Sequence, residues 1–347
     1  MKTLYRMIVS LLISVGTFVA LIVYIGVGKV TGALFSVQTP ILLLPVILIS
    51  PAVQTLRALR WKFFLGKLMN TAPSVPNLFL WTAFGDLVNW FMPVGIEGDI
   101  AKAKLFSMQG KNGFAPILST VGIERVLDAA VVASLAFVAA SFMTFHLERQ
   151  VILTLALMLG FGVVVILSVY LSGYKPVIVL SMLNKVTSFM PNSLQTRVMS
   201  FASGVTDAAV VFVKLRWSAL IFLGYTFIIW FLPVAANFMI FASMNVPLLL
   251  PAIVIGSVLM AFSAITPAPP LSAGSFEIIW AIIFTMLGVN LDKAIASGII
   301  AHFMIIVYVI PFGFLATSWL GLSTTDVMSF GIKSPKQQHP TVAPNIL

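Results

Sequence analysis

The chain has 347 residues, of which 60% are hydrophobic and only 9% are charged, and its formal net charge is +10. Soluble globular proteins carry about 25% charged residues, so the composition excludes a soluble domain and predicts an all-α polytopic membrane protein. The chain has no cysteine, which excludes disulfides, thiolate nucleophiles and cysteine metal sites. The three histidines lie far apart in the sequence, so we expect neither a metal site nor a cofactor.

Six apolar segments are each long enough to cross a hydrocarbon core of about 30 Å as a helix. We predict these six full transmembrane helices at residues 7–27, 40–58, 114–144, 151–171, 217–241 and 294–320. The first is not typical of a cleaved signal peptide, because its apolar run is too long and no small-residue cleavage site follows it.

The positive charges predict the orientation. With the N-terminus in the cytoplasm and the spans alternating, 16 of the 20 Lys and Arg residues fall inside. Lys29, Arg149 and Lys293 fall outside, and Arg125 lies within a span. This bias predicts that both termini are cytoplasmic and that residues 28–39, 145–150 and 242–249 face outside. We therefore expect the positive side chains to interact with anionic lipid headgroups at the cytoplasmic face of a prokaryotic cell membrane, and not with nucleic acid.

Two further apolar stretches, 76–92 and 250–266, do not fit as spans. Each ends in a Pro/Gly turn and is followed by a second short helical stretch, 99–110 or 275–289. If either stretch were a full span, the orientation of everything after it would reverse, and the bias of Lys and Arg toward the cytoplasm would be lost. We predict two re-entrant helical hairpins, at about 76–110 and 250–289, which enter from opposite sides. Their common plan indicates a possible inverted repeat, as in secondary transporters that bind substrate between two halves.

The first hairpin turn carries several polar residues in an apolar setting. Pro93 can stop the incoming helix, Gly95 and Gly98 permit a tight turn, and Asp99 can cap the outgoing helix. The N-terminus of that helix would favour an anion, with Lys102 or Arg125 nearby. We expect a substrate site here, whose first-hairpin members are Asn89, Pro93, Gly95, Glu97, Asp99 and Lys102. The alternative is that the carboxylates only pin a buried turn.

The second hairpin turn contains three prolines between residues 267 and 270, which forbid a continuous helix. Gly274 or Ser275 can serve as N-cap of the following helix; with Gly274 in that position, Glu277 falls at N3 and can support the N-terminus. We add Gly274, Ser275 and Glu277 to the predicted substrate site.

A third polar group lies inside the third span, where Glu124, Arg125 and Asp128 occupy about one turn. Such charges cannot face lipid. Arg125 is three residues before Asp128 and can pair with it, or it can bind a phosphate through its guanidinium. A substrate role and a structural ion pair both remain open for these residues.

Outside the spans, apolar residues recur every three to four positions within 175–216. This spacing predicts helices on the cytoplasmic interface, with a connecting helical arm as the alternative. Residues 1–332, including this segment, are predicted to form one transmembrane domain, followed by a disordered cytoplasmic tail, 333–347. His302, in the last span, is expected to be packed or hydrogen-bonded, with a proton-relay role as the less favoured alternative.

The polar motifs of the two hairpins and of the third span resemble those of the lysylphosphatidylglycerol synthase transmembrane-region family of flippase-like proteins. The likeness rests on Leu59-Arg60-Trp61-Lys62, on Asn89 with Pro93 to Lys102, on Glu124 to Asp128, and on Thr266-Pro267 through Glu277. It departs at Glu97, at Lys102 and in the proline-rich stretch Pro267 to Pro270. The resemblance implies movement of a lipid or lipid-linked headgroup across the membrane.

The leading hypothesis is therefore a flippase for a phospholipid or polyprenyl-phosphate-linked amphiphile with an anionic headgroup. An intramembrane headgroup-modifying enzyme is a second hypothesis, because acids could act as general base and acid. A non-transporting membrane assembly factor is the third. If the first is right, we expect Asp99, Lys102, Arg125 and Glu277 to share one cavity between the hairpins, because sharing it removes most of their cost in hydrocarbon.

Overall fold

A computed structural model describes residues 26–68, 72–92, 97–109, 114–143, 149–214, 217–263, 270–272 and 274–322, together with residues 12, 16, 19 and 23. Apart from turns, these residues are helical, with no strand in the described ranges. The predicted tail, 333–347, and most of the predicted first span, 7–27, lie outside the described residues.

Twelve α-helices follow one another in the described chain. They are α1 (Val27–Phe35), α2 (Leu43–Leu68), α3 (Val75–Phe91), α4 (Glu97–Gln109), α5 (Phe114–Ser141), α6 (Arg149–Tyr174), α7 (Pro176–Thr187), α8 (Asn192–Lys214), α9 (Ser218–Ser243), α10 (Leu250–Ser263), α11 (Ser275–Met286) and α12 (Leu291–Trp319). Short 3₁₀ turns at Pro40–Leu42 and Pro270–Ser272 precede α2 and α11.

Within the described residues, three helices are long and apolar enough to cross a membrane, and all three lie at predicted spans. They are Pro40–Lys67, Ala219–Ser243 and Leu291–Trp319. The predicted spans 114–144 and 151–171 coincide with the continuous helices α5 and α6, of 28 and 26 residues. The protein is therefore a helical, multi-pass membrane protein.

Two boundaries differ from the sequence prediction. Helix α2 continues to Leu68, ten residues beyond the predicted end at 58. Its added turns carry Arg60 and Lys62, and the fold accepts Arg60 in a buried position because acidic side chains on α5 neutralise it. In addition, the predicted outer loop 28–39 contains helix α1, which starts directly after Gly26.

The first predicted hairpin consists of α3 and α4, which pack against each other along their length. They approach closely where Gly85 faces Gly98: a Cβ atom added at Gly98 would lie 1.8 Å from the carbonyl oxygen of Gly85. Only glycine permits this backbone contact. The N–H of Gly98 donates to Asn89 Oδ1 at 2.7 Å, so the side chain of one helix binds the N-terminus of the other.

The second hairpin consists of α10 and α11, with the turn Pro270–Ser272 between them. The predicted capping arrangement at α11 is confirmed, because the N–H of Gly274 donates to Glu277 Oε2 at 2.9 Å. Gly274 has a φ of +78°, a value that favours glycine. Helices α10 and α11 have 14 and 12 residues, fewer than the roughly 20 needed for a full span.

Two long helices connect the hairpins. Helix α5 packs on α4 of the first hairpin and α10 of the second, while α12 packs on α3 of the first and α11 of the second. Each hairpin contributes to its own apolar core, the first around Trp81 and Phe84, the second around Trp280 and Phe284. The two hairpin ends meet, since the rings of Trp90 and Phe276 lie 6.5 Å apart.

The segment predicted to lie on the interface forms α7 and α8. Helix α8 packs along α5 and α6, and α7 folds back against α8. Val205 and Phe212, two of the apolar residues that recur every three to four positions in this segment, pack against a core that includes Phe64 and Phe222. The stripe on α8 is thus partly covered by the bundle.

Candidate functional site

Eight charged side chains meet where α2, α3, α4 and α5 come together. This ion-pair cluster contains Arg57, Arg60, Asp86, Asp99, Lys102, Glu124, Arg125 and Asp128. Four of its members are cationic and four are anionic, so their formal charges cancel. Balanced pairing is the arrangement expected for charges inside a membrane protein, because an unpaired one is costly.

Arg60 is the buried centre of the cluster. Its side chain is 3% exposed and binds two acids on α5: Glu124 Oε1 at 3.3 Å from Nε, and Asp128 through both terminal nitrogens. Nη1 also donates to the hydroxyl of Thr226 on α9 at 3.1 Å. Arg60 thereby joins three helices. Sequence reasoning counted it only as a cytoplasmic charge and as part of a motif, not as a site residue.

Arg125 binds mainly to Asp99, not to Asp128. Its Nε and Nη2 donate to the two oxygens of Asp99 at 2.6 and 2.9 Å, whereas Nη1 lies 3.8 Å from Asp128. The side chain remains 42% exposed. The pair between Arg125 and Asp128 within α5, one of the two alternatives from the sequence, is therefore weaker than the pair between Arg125 and Asp99. The guanidinium that was the candidate for binding a phosphate is already bound to a carboxylate.

Asp99 does not act as the predicted N-cap. Helix α4 starts at Glu97, two residues earlier, so Asp99 lies within the first turn. Besides Arg125, its carboxylate accepts from Lys102 Nζ at 3.1 Å, and the same Nζ lies 3.9 Å from Glu124. The predicted residues Asp99, Lys102, Glu124, Arg125 and Asp128 are thus brought together. Glu97 begins α4, while Pro93 and Gly95 lie outside the described residues.

Arg57 and Asp86 complete the cluster and were not among the predicted site residues. Arg57 Nη1 lies 3.4 Å from Asp86 Oδ1, and both side chains are partly exposed. The signal for them was present: Arg57 and Arg60 are three residues apart and so share a face of α2, and Asp86 is an acid within an apolar helix.

Glu277 does not join this cluster. Its Oε1 lies 2.6 Å from Nδ1 of His302, whose Nε2 donates to the carbonyl of Leu271 at 2.9 Å. The imidazole stacks against both Trp90 and Phe276, at centroid distances of 5.5 and 4.6 Å. The expectation that His302 is packed and hydrogen-bonded is confirmed. The pair fixes the turn of the second hairpin against α12, so the expected convergence of Glu277 with Arg125 is wrong.

A cavity of about 470 Å³ lies between the two hairpins. Its walls are mainly apolar side chains of α2, α9, α10, α11 and α12, and Ser275 and Phe276 of the second hairpin line one side. Arg57, Asp86, Asn89 and Arg125 line another part of it. A small polar pocket of about 10 Å³ inside the cluster shares Arg57, Asp86 and Arg125 with the cavity, and this is roughly room for one water molecule.

The arrangement is an apolar chamber with a charged patch on its wall, bounded by two helical hairpins. It can hold an amphiphile, because apolar walls accept chains and polar groups fix a headgroup. Of the described residues, no three His, Asp or Glu side chains are grouped in a way that could hold a metal ion.

No curated protein and no solved structure matches the chain. The family profile described as the lysylphosphatidylglycerol synthase TM region matches residues 7–313, nearly the whole chain and both hairpins. This family is associated with lipids of the membrane. The chain belongs to the lysylphosphatidylglycerol synthase TM region family.

Proposed function

We propose that the protein is a flippase, which moves a phospholipid or a polyprenyl-phosphate-linked lipid from one leaflet to the other. The observation that carries the proposal is the cavity of about 470 Å³ between the hairpins, with apolar walls and Arg57, Asp86 and Arg125 on its surface. A headgroup would pass through this chamber while its chains stay in apolar surroundings. Without the chamber, the headgroup would have to cross hydrocarbon unpaired, which is costly.

The proposed membrane arrangement has six full spans and two re-entrant hairpins related as an inverted repeat. It is supported by the lengths of the hairpin helices, 17 and 13 residues for α3 and α4, and 14 and 12 for α10 and α11. It is supported also by the packing of α5 and α12, each of which contacts both hairpins. Substrate sites between such repeats are typical of secondary transporters.

The proposed location is the cytoplasmic membrane of a prokaryote, with both termini in the cytoplasm. The distribution of positive charge supports this orientation, since 16 of the 20 Lys and Arg residues then lie on the cytoplasmic side. Three of these, Arg57, Arg60 and Lys102, are bound to carboxylates in the ion-pair cluster, and anionic headgroups at that face would attract the others.

An intramembrane enzyme is a weaker candidate than a transporter. General acid–base catalysis needs a carboxylate that can reach a proton of the substrate. In the ion-pair cluster, however, Asp86, Asp99, Glu124 and Asp128 are each bound to at least one Arg or Lys side chain. These pairs support a binding and structural role, and incubation with lipid extracts should give no new lipid species by mass spectrometry.

Reconstitution tests the transport proposal. Purified protein is placed in liposomes containing a trace of headgroup-labelled phospholipid or of a short-chain polyprenyl-phosphate sugar, and a membrane-impermeant quencher reports the accessible fraction. We expect the accessible fraction to rise above that of protein-free liposomes for at least one of these lipid classes. Equal accessibility with and without protein for both classes would contradict the proposal and would favour an assembly role.

A further inference from the structure

Both ring nitrogens of His302 face oxygen atoms. Nδ1 lies 2.6 Å from Oε1 of Glu277, and Nε2 lies 2.9 Å from the carbonyl oxygen of Leu271. A neutral imidazole carries one N–H group, so it can donate to only one of these oxygens. The other contact would then bring two lone pairs within hydrogen-bond distance of each other. Both contacts are hydrogen bonds when the pair holds one proton more than a neutral imidazole beside a carboxylate.

The Glu277–His302 pair is separate from the ion-pair cluster. Neither residue has another ion-pair partner among the described residues. Of the helices that pack on α11 or α12, α10 carries no titratable residue, and the acid of α3, Asp86, is bound to Arg57 of α2. Tyr308 lies six residues after His302 and therefore on a different face of α12. The additional proton is thus held by the two side chains of this pair.

His302 attaches the turn of the second hairpin to α12. Leu271, which accepts from the ring, lies in the turn with a φ of +58°, a value that is uncommon for a residue other than glycine. The ring also stacks against Phe276 of the second hairpin and Trp90 of the first. Both of these aromatic side chains line the cavity. The pair therefore holds the part of the cavity wall where the two hairpins meet.

We propose that Glu277 and His302 form a proton-binding site, and that release of the proton frees the turn of the second hairpin so that lipid can pass through the cavity. Carboxylates and histidines serve as proton carriers in membrane transporters. The side chain of Glu277 is 10% exposed, which gives the proton a route to water. Without the proton, the pair has a net negative charge and one contact between lone pairs, so the attachment to α12 opens. The second part of this inference rests on the proposed transport function, which it deepens by naming the ion that controls lipid movement.

Equilibrium unfolding of the purified full chain in mixed micelles tests the proton site. In the unfolded chain, a histidine loses its proton above about pH 6.5, whereas the native pair keeps it. The stabilisation by the pair is therefore complete below this pH and is lost as the pH rises further. We expect the unfolding constant of the wild type to rise about tenfold or more between pH 6.5 and 8.5, against a limit of tenfold per pH unit for one proton.

Two variants distinguish proton binding from hydrogen bonding alone. In Glu277→Gln, the amide N–H can donate to Nδ1 of a neutral His302 and the amide oxygen can accept from Gly274, so the contacts form without the additional proton. The unfolding constant of this variant should not rise over the same pH range. Ser297→Ala is the matched control, because it removes another buried hydrogen bond between α11 and α12, which the indole N–H of Trp280 donates at 3.0 Å. It should lower stability at every pH and keep the pH dependence of the wild type, and equal pH dependence of the wild type and Glu277→Gln would overturn the proton site.

Nitrogen NMR of the histidine ring decides the question if Glu277→Gln does not fold. The chain has three histidines, so His146→Gln and His339→Gln leave His302 as the only ring in a sample labelled with nitrogen-15 histidine. We expect the signals of both ring nitrogens at pH 6.5 to be those of hydrogen-bonded nitrogens. A neutral ring with one nitrogen free of hydrogen bonds at every pH between 5 and 9 would overturn the proton site.

Lipid movement in liposomes tests the coupling. With the same pH on both sides of the membrane, lipid movement by the wild type should accelerate as the pH rises from 6.5 to 8.5, because release of the proton frees the turn. Glu277→Gln keeps the turn attached and should be slow at every pH. If the wild type moves lipid at a rate that does not depend on pH, the coupling is wrong and the transport function stands. If the wild type moves no lipid at any pH, the proposed function has failed, and the unfolding and NMR measurements still decide whether the proton site exists.

Discussion

The three arginines of the ion-pair cluster should differ in their effect on stability, in the order Arg60, Arg125, Arg57. Arg60→Gln leaves Glu124 and Asp128 without their main partner at a site where the arginine is 3% exposed. Breaking a buried pair by removing one partner costs about 3–5 kcal/mol. The loss is reduced only slightly by Lys102, whose Nζ is 3.9 Å from Glu124.

Arg125→Gln should cost less, about 1–2 kcal/mol. It removes two short hydrogen bonds to Asp99, and such charge-assisted bonds contribute about 1.5–3 kcal/mol. The side chain is 42% exposed, which screens the interaction, and Lys102 still holds Asp99 at 3.1 Å. Arg57→Gln breaks a partly exposed pair at 3.4 Å and should cost less than about 1 kcal/mol.

Reversible unfolding in mixed micelles, followed by the intrinsic tryptophan signal, measures these free energies. Arg60→Gln should be partly rescued by Asp128→Asn, and Arg125→Gln by Asp99→Asn but not by Asp128→Asn. The predicted order is refuted if Arg125→Gln destabilises the protein more than Arg60→Gln does. It is also refuted if Asp128→Asn restores stability to the Arg125→Gln variant and not to the Arg60→Gln variant.

The remaining predictions concern the hairpins, the histidine and the orientation. Gly98→Ala should prevent folding, because the added Cβ would lie 1.8 Å from the carbonyl oxygen of Gly85. Gly122→Ala on α5 is the control: no atom lies within 4 Å of the added Cβ, so the variant should fold like the wild type. The yield and the size-exclusion profile of the purified protein measure both effects. His302→Phe should lower the free energy of unfolding by about 2–3 kcal/mol, because it strands a buried carboxylate and a carbonyl oxygen, and Glu277→Leu in the same chain should recover part of this. In the natural cysteine-free chain, a cysteine at 245 should react with an impermeant maleimide from outside and one at 104 only after lysis.

The sequence was sufficient for the helical class, for the family and for much of the element order. Apolar length located α5, α6, α9 and α12 within a few residues, since lipid permits little else for such segments. The capping of α11 by Gly274 and Glu277 was predictable because it depends on local spacing only.

The pairing of charges was not predictable, because it depends on how helices are rotated against one another. Local spacing favoured Arg125 with Asp128, but α4 brings Asp99 to Arg125 and α2 brings Arg60 to Asp128. Glu277 shows the same limit: its partner, His302, is 25 residues away on α12.

The most direct test of the transport account is to fill the cavity and measure lipid movement. Ala261 on α10 lines the cavity, and Ala261→Trp would place an indole ring in it from a helix that carries no member of the ion-pair cluster. In liposomes, the account predicts that wild-type protein raises the quencher-accessible fraction of labelled phospholipid, while an equally well-folded Ala261→Trp protein leaves it near the protein-free value. Undiminished lipid movement by this variant would contradict the claim that the headgroup passes through the cavity.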